Sequence, residues 1–209
     1  MLSHPQLLLL PPLVVVVLLL LLPLLCGSST PTQDWEGEDE VPWSYLQHVH
    51  PQCPPPSPPV PQPHTREQAH PVVCVLLLDA QGAVLASLPA VEVAVSHRDQ
   101  QHGLMFRREP LRPLHQGMLF PLGEQGVPGP RFYMRNTLQP LDILFWGKGG
   151  DASPPLPLLL HLRHLQPGDE TRRGPDPSTQ PPVVAVLEVA PLPPSMQPHH
   201  MVVCPSPRL

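Results

Sequence analysis

The sequence has little of the positive charge and none of the motifs on which several large protein classes depend. Arginines are scattered, so the basic stripe that a nucleic-acid backbone requires is missing, and we expect no nucleic-acid partner. Lys148 is the single lysine and lies among glycines rather than in an apolar pocket, so Schiff-base chemistry has no good candidate. A Gly-x-Ser-x-Gly elbow, a His-Glu-x-x-His motif and a phosphate-binding loop are all absent. The sequence therefore contains no motif that indicates a hydrolase, a zinc protease or a nucleotide-binding protein.

Metal-ligating residues are present but show no metal-site spacing, and we predict neither a metal nor a cofactor. Histidines occur in pairs, but no set of histidines, cysteines and carboxylates has the spacing of a structural zinc site. Three methionines could hold Cu(I) in an exported protein, although methionines in β-strands more often fill the core. These three are Met105, Met118 and Met134.

Proline, in contrast, is abundant, with 36 residues in a chain of 209. Such a sequence cannot form a long helical bundle or a coiled coil, because proline breaks helices. The distribution is uneven, and segment 72–145 holds 7 of the 36 prolines. With aromatic residues at only 4%, we expect one small core in this segment, bounded by proline-rich sequence.

The N-terminus predicts export. Residues 13–22 are an uninterrupted run of leucine and valine that matches the core of a signal peptide better than a full membrane span. Small residues around Gly27 favour cleavage after Ser28, so residues 1–28 are interpreted as a signal peptide and the protein as secreted or extracytoplasmic. The alternative is an uncleaved anchor, and only then would the membrane be a partner.

Residues 29–70 predict a disordered linker. The segment begins with an acidic run and continues with closely spaced prolines, which favour polyproline II structure over a packed core. Trp35, Trp43 and Tyr45 are unusual in such a linker, and they are either exposed or dock elsewhere.

A mainly β domain is predicted over residues 71–209. Val72–Leu78 and Ala83–Leu88 favour a hairpin, and Ser96 with Asp99 indicates the capping box of a short helix that ends at Gly103. The alternating valines Val91–Val95 indicate a half-buried strand. Further strands are predicted at Met118–Phe120, Phe132–Met134, Leu141–Trp146, Val183–Val189 and Met201–Cys204.

Three stretches in this domain resemble a known family. They are His102-Gly-Leu-Met-Phe-Arg107, Gly117-Met-Leu-Phe120, and the fourteen residues from Phe132 to Phe145. Their order and spacing resemble the signature of domain of unknown function family 192. The resemblance implies a compact β-barrel or jelly-roll-like sandwich with a short helix, often behind a signal peptide, in a family without an established biochemical activity.

The C-terminal part departs from that family pattern. Leu187-Glu188-Val189 stands for a segment that in the family continues to a glycine, which is missing here. Residues 147–182 are rich in proline, glycine and charge around one apolar patch, Leu156–Leu165. We expect a long irregular insertion there, with at most one strand.

The matched motifs contain a polar cluster, Arg135, Asn136, Thr137 and Asp142, within otherwise apolar sequence. Buried polar groups must be hydrogen-bonded, so these residues need internal partners or a ligand. One interpretation is a structural network in which Arg107 pairs with Asp142. The other is a polar binding pocket with Arg107 and Arg135 as anion contacts.

Three functional classes follow. The first is a non-catalytic exported module that binds a small polar ligand or a protein partner through these residues. The second is an enzyme of unknown reaction with Asp142 as acid or base, and the third is a purely structural exported domain. An Asp142 in an open site without an arginine partner favours the enzyme, whereas burial against Arg107 or backbone amides disfavours it.

The cysteines add one expectation. Cys26 leaves with the signal peptide, and an oxidising compartment favours one disulfide among the other three. We predict a bridge between Cys74 and Cys204, at the two ends of the domain, because the termini of compact domains often lie close together. Cys53 then remains unpaired.

Overall fold

A computed structural model describes residues 40–55, 70–148 and 155–205 of the chain. The predicted signal peptide, residues 1–28, and Trp35 lie outside the described residues. Among the residues that are described, no helix is long and apolar enough to cross a membrane.

The described residues form seven strands, one short α-helix and one 3-10 helix, which confirms the mainly β prediction. The strands are rich in valine and leucine, which suit the pleated, buried surface of a sheet. The strands are β1 (Val72–Leu78), β2 (Val84–Val93), β3 (Gln116–Pro121), β4 (Leu141–Gly147), β5 (Leu156–Leu165), β6 (Val183–Val189) and β7 (His200–Val203). The α-helix α1 spans His97–His102, and the 3-10 helix spans Ser44–Leu46.

The strands close into a barrel in the order β1-β2-β3-β6-β4-β5-β7, with β7 pairing back onto β1. Among the described strands, β2 and β3 form the one parallel pair. Parallel neighbours cannot be joined by a tight turn and need a crossover. This crossover carries α1 and the first family-like motif over the outer face of the sheet.

Side-chain alternation along the strands produces two main cores. All seven strands contribute to the inner core inside the ring, where Leu144 and Trp146 of β4 are fully buried. The opposite side chains of β3, β4 and β6 form an outer core with residues of the crossover and of the loop before β4. Phe120 and Phe145 belong to this outer core, and each contacts the ring of Phe132 edge to face.

The short helix has the predicted ends. The Ser96 hydroxyl accepts a hydrogen bond from the Asp99 amide, and the Asp99 carboxylate bonds back to Ser96, which completes the capping box. The helix ends at Gly103. Gln100 fixes the helix to the sheet, since its side-chain amide donates to the carbonyls of Ala94 and Pro121.

Two strand predictions need correction. Phe132–Met134 forms no strand, and Phe132 makes only an isolated bridge with Arg173. The region 147–182 is not merely an irregular insertion, because its apolar patch is β5, a ten-residue strand that lies between β4 and β7 in the ring. β5 pairs with β4 and with β7. Because β7 lies far from β5 in the sequence, the local sequence pattern could not reveal the position of β5 in the sheet.

The prediction of a disordered linker fails for residues 40–55, which pack on the barrel. Leu46 is fully buried in the inner core, where Trp43 and Tyr45 also pack. The Tyr45 hydroxyl donates to the Val184 carbonyl at 2.8 Å, and the His48 amide donates to the Val203 carbonyl at 2.8 Å. The packed domain therefore includes residues before Pro71, the position at which the proline spacing predicted that it begins.

The disulfide prediction named the wrong partner for Cys204. Cys204 is bonded to Cys53, with 5.6 Å between the two Cα atoms, and Cys74 is a free thiol. Cys74 on β1 and Cys204, the residue after β7, do lie close together, since the Cys204 amide donates to the Cys74 carbonyl at 2.9 Å. Because residues 40–55 pack on the barrel, Cys53 is brought to the Cys204 sulfur, while the Cys74 thiol contacts the Ser87 hydroxyl at 3.4 Å.

Candidate functional site

A pocket of about 580 Å³ lies on the outer face of the sheet, beside α1. Its wall consists of α1, the turn that follows it, and the loop between β3 and β4. Buried side chains form its floor, and exposed polar side chains surround its mouth. The lining residues used below are His97, His102, Gly103, Phe120, Arg131, Phe132, Tyr133, Arg135, Asn136, Thr137 and Glu188.

The floor of the pocket carries a buried carboxyl group, that of Glu188 on β6. Glu188 pairs in register with Met118 of β3 and Ile143 of β4, both members of the outer core. Its side chain is only 6% exposed, and no described residue gives its carboxyl a hydrogen bond or an ion pair. Burial alone raises the pKa of Glu188 to about 8, so the group is mostly protonated at pH 7.

Gly103 lets the backbone pass close above this carboxyl. It has a φ of +50°, and a Cβ built there would lie 3.3 Å from the Phe120 ring and 3.8 Å from Glu188 Oε2. Glycine adopts positive φ without steric cost and leaves the space free. The helix end therefore serves two purposes, since the same residue terminates α1 and keeps the pocket open.

The loop that carries the third motif is held in place by the segment before β6. Phe132 and Arg173 exchange two backbone hydrogen bonds of 2.8 Å, and the Met134 amide donates to the Asp169 carbonyl. The Arg172 guanidinium lies 5.6 Å from the centre of the Tyr133 ring. These contacts fix the backbone from which Tyr133, Arg135 and Asn136 reach the pocket.

Exposed cationic and amide side chains surround the mouth of the pocket. Arg131, Arg135 and Asn136 are all exposed. The Arg131 guanidinium donates to the Gly174 carbonyl at 3.0 Å, and no described carboxylate lies within ion-pair distance of Arg135. Asn136 has a φ of +56°, and its carbonyl accepts a hydrogen bond from the Phe106 amide. Guanidinium donors are therefore available to a ligand at the mouth.

The predicted polar cluster is split between two faces of the sheet. Arg135, Asn136 and Thr137 line the pocket, but Asp142 does not. Asp142 pairs in register with Val189, an inner-core residue, so strand alternation directs its side chain away from the face that carries Glu188.

Asp142 is completely buried and fully hydrogen-bonded. One carboxylate oxygen accepts from His161 Nε2 at 2.8 Å and from the Leu192 amide at 3.1 Å, and the other accepts from the His164 amide at 2.8 Å. Burial acts to raise the pKa of Asp142, but these hydrogen bonds together outweigh it and hold the pKa below its usual value. The geometry is that of a structural anchor between β4, β5 and the segment after β6.

Arg107 is not part of either site. Its guanidinium pairs with Glu92 of β2 at 2.7 Å, so the Arg107–Asp142 pair expected for a structural network does not form. Arg107 does not line the pocket, whereas Arg131 does.

Glu188 was not among the predicted site residues, although its segment, Leu187-Glu188-Val189, resembles part of the family pattern. The available signal was a lone carboxylate in a strand of seven residues that are otherwise all apolar, Val183–Val189. Such a strand is buried on both faces, so a charged residue within it demands a partner.

Together the closed ring of strands and the pocket define a small mainly β domain with a ligand-sized cavity under its crossover. The chain belongs to domain of unknown function family 192 (DUF192), described as "Uncharacterized ACR", whose model matches residues 77–191. This match confirms the resemblance to the family that the three sequence motifs indicated.

Several solved structures are similar to the chain, including the following two. A Sinorhizobium meliloti 1021 protein, described as a candidate transcription regulator, is 27% identical, with a TM-score of 0.53 over 66% of this chain and 97% of that one. A Novosphingobium aromaticivorans DSM 12444 protein of unknown function is 28% identical, with a TM-score of 0.49 over 62% of this chain and 84% of that one. No curated protein matches the chain.

Proposed function

We propose that this protein is an exported, non-catalytic domain that binds a small polar ligand in the pocket above Glu188. The observation that carries the proposal is a buried carboxyl group at the floor of an open cavity, without a partner among the described residues. Buried polar groups in folded proteins are nearly always hydrogen-bonded, and leaving one unsatisfied costs stability. A bound ligand that hydrogen-bonds to Glu188 offsets this cost.

The composition of the pocket supports a small ligand rather than a protein partner. A volume of about 580 Å³ falls within the range of small-molecule sites, which combine apolar walls with a few polar groups. The aromatic rings of Phe120, Phe132 and Tyr133 supply such walls. All three family-like motifs contribute lining residues, which ties the pocket to the sequence features that define the family.

The enzyme alternative loses its main candidate residue. Asp142 is buried against two backbone amides and His161 instead of standing in an open site. Its lowered pKa is the opposite of what a general acid at neutral pH needs. The description of the S. meliloti protein as a candidate transcription regulator finds no support in this sequence, because its scattered arginines form no basic stripe for nucleic acid.

Export is the second part of the proposal. The Cys53–Cys204 disulfide supports it, because disulfides persist in oxidising compartments. N-terminal sequencing of the protein from culture medium or periplasm is expected to begin just after Ser28. A product that begins at Met1, or that is found only in the membrane fraction, would favour the uncleaved anchor.

Ligand binding can be tested by thermal denaturation of the purified protein with a panel of small molecules. The panel consists of amino acids, primary amines, carboxylates and neutral sugars, each at millimolar concentration. We expect at least one class to raise the melting temperature, and we expect Thr137→Val, at the pocket floor, to reduce that rise.

The matched control is Arg107→Gln, which lies outside the pocket and is expected to keep the full rise. If no compound stabilises the protein, or if Thr137→Val responds like wild type to every compound, the proposed pocket function is wrong.

A further inference from the structure

We propose that the ligand of this pocket is a small zwitterion, with a primary ammonium group on Glu188 and a carboxylate at Arg135. This inference rests on the proposed function and names the chemical class of its ligand. It follows from the arrangement of charge along the depth of the pocket.

The floor of the pocket presents a carboxyl group that no described residue pairs or hydrogen-bonds. The elements that pack around Glu188 place only apolar residues next to it in the sheet, Met118 on β3 and Ile143 on β4. The titratable and charged groups of the pocket lie on α1 and on the loop before β4, and none is within ion-pair distance of the carboxyl. These groups are His97, His102, Arg131, Tyr133 and Arg135. No described residue supplies a counter-ion for Glu188, and we assign that role to the ligand.

A primary ammonium group fills this role well. It carries a positive charge and three N–H donors on a compact head. Gly103 supports the approach, because the missing side chain leaves Glu188 Oε2 accessible from the direction of α1. An ionised Glu188 paired with the ammonium head replaces the protonated, unpartnered carboxyl of the empty pocket.

The mouth has the opposite sign. Among the described residues, Arg135 is exposed and has no carboxylate partner, while Arg131 donates one hydrogen bond, to the Gly174 carbonyl, and its charge also acts on Asp176. Guanidinium groups bind carboxylates through paired, charge-assisted hydrogen bonds. A ligand with an amine at one end and a carboxylate at the other satisfies the floor and the mouth together.

The test uses matched sets of probes that differ in one charged group. One set is 5-aminopentanoate, pentanoate and pentylamine, and the second is 4-aminobutanoate, butanoate and butylamine, so that the two charged groups stand at opposite ends of each zwitterion. Affinities for the purified protein are measured by isothermal titration calorimetry at pH 8. In at least one set we expect the zwitterion to bind about tenfold or more tighter than each of its two relatives, since each relative lacks one charge-assisted contact.

Two variants assign the ends of the ligand. Glu188→Gln is expected to weaken the zwitterion and the amine about tenfold while it leaves the carboxylate probe unchanged. Arg135→Gln is expected to weaken the zwitterion and the carboxylate probe while it leaves the amine unchanged.

Proton release gives an independent readout. Because Glu188 must ionise to pair with an ammonium group, titrations at pH 7 in buffers of different ionisation enthalpy should show close to one proton released per ligand bound. Glu188→Gln should abolish this release, whereas the double variant His97→Gln, His102→Gln should retain it. Release that disappears with the histidines and persists in Glu188→Gln would overturn the assignment of the ammonium to Glu188.

The failure of this inference is distinguishable from failure of the pocket. If in neither set the zwitterion binds more tightly than both of its relatives, the zwitterion inference is wrong. Binding of a sugar or a simple carboxylate that is sensitive to Thr137→Val would then preserve the proposed function. If no compound binds at all, both proposals fall.

Discussion

Two buried carboxyl groups lie on neighbouring strands of the same sheet and have opposite environments. Asp142 of β4 pairs in register with Val189, and the adjacent Ile143 pairs with Glu188 of β6. Asp142 accepts three hydrogen bonds, two of them from backbone amides. Glu188 accepts none from the described residues and borders a cavity.

The difference shows how two acidic residues in apolar strands acquire different roles. A carboxylate that is saturated by its own fold is held ionised and stabilises the protein, so it has no capacity left for a ligand. A carboxyl group that the fold leaves without donors is held protonated and destabilises the folded state when it ionises. Only a carboxyl group of the second kind can gain its hydrogen-bond partner from a ligand.

The largest effect on stability is expected when Asp142, the fully hydrogen-bonded carboxylate, is removed. Asp142→Ala should lower the free energy of unfolding at pH 7 by about 3–5 kcal/mol, because two buried amides and His161 lose their acceptor. Chemical denaturation measures the change. The exposed Glu109→Ala is the control and should change stability by less than about 0.5 kcal/mol. A loss below about 1 kcal/mol for Asp142→Ala would mean that Asp142 is not a structural anchor.

The second largest effect is expected for Glu188→Gln, which should raise the free energy of unfolding by an amount that depends on pH. With the pKa of Glu188 raised to about 8, the folded state keeps a proton that the unfolded state releases near pH 4.5. The contribution of Glu188 to stability is therefore full below pH 4.5 and is lost as pH rises through 8. Glu188→Gln stays neutral, so at pH 8 it should be more stable than wild type by about 2–4 kcal/mol, with little difference at pH 5.

Unfolding in denaturant at pH 5 and pH 8 tests this prediction, with the exposed Glu124→Gln as control. A ¹³C NMR titration of the Glu188 carboxyl gives its pKa directly. Equal stability of Glu188→Gln and wild type at pH 8 would show that Glu188 is not buried without a partner.

A smaller effect is expected at the glycine above Glu188. Gly103→Ala should cost about 1–2 kcal/mol, because it combines a positive φ with contacts to Phe120 and Glu188. Gly82→Ala is the matched control, since Gly82 also has a positive φ but a Cβ at that position would have nothing within 4 Å. The excess loss of stability in Gly103→Ala over Gly82→Ala measures the close approach. If the two variants lose the same stability, the pocket is wider at this point than the structure indicates.

The smallest effect on stability is expected at the mouth. Arg135→Gln should change the free energy of unfolding by less than about 0.5 kcal/mol, because the side chain is exposed and has no ion-pair partner among the described residues. Thermal denaturation without ligand checks this. A loss above about 1.5 kcal/mol would identify Arg135 as a structural residue and remove it from the proposed binding site.

Local sequence patterns determined much of the fold. The capping box of Ser96 and Asp99, the hairpin of β1 and β2, and the apolar runs that became β4 and β6 are all governed by interactions within a few residues. The three motifs also identified the family. Local pattern failed where long-range packing decided the outcome, as for β5 and for residues 40–55, whose buried Leu46 has its contacts in distant strands.

The sequence by itself determined that this is a small, mainly β member of its family with acidic residues inside apolar strands. Only the tertiary structure decided which acid is satisfied and which is free, and which cysteine bonds to Cys204. The physical reason is that hydrogen-bond donors, unlike strand propensity, come from elsewhere in the chain. Asp142 receives its donors from His161, His164 and Leu192, up to 50 residues away, whereas nothing in the described fold reaches Glu188.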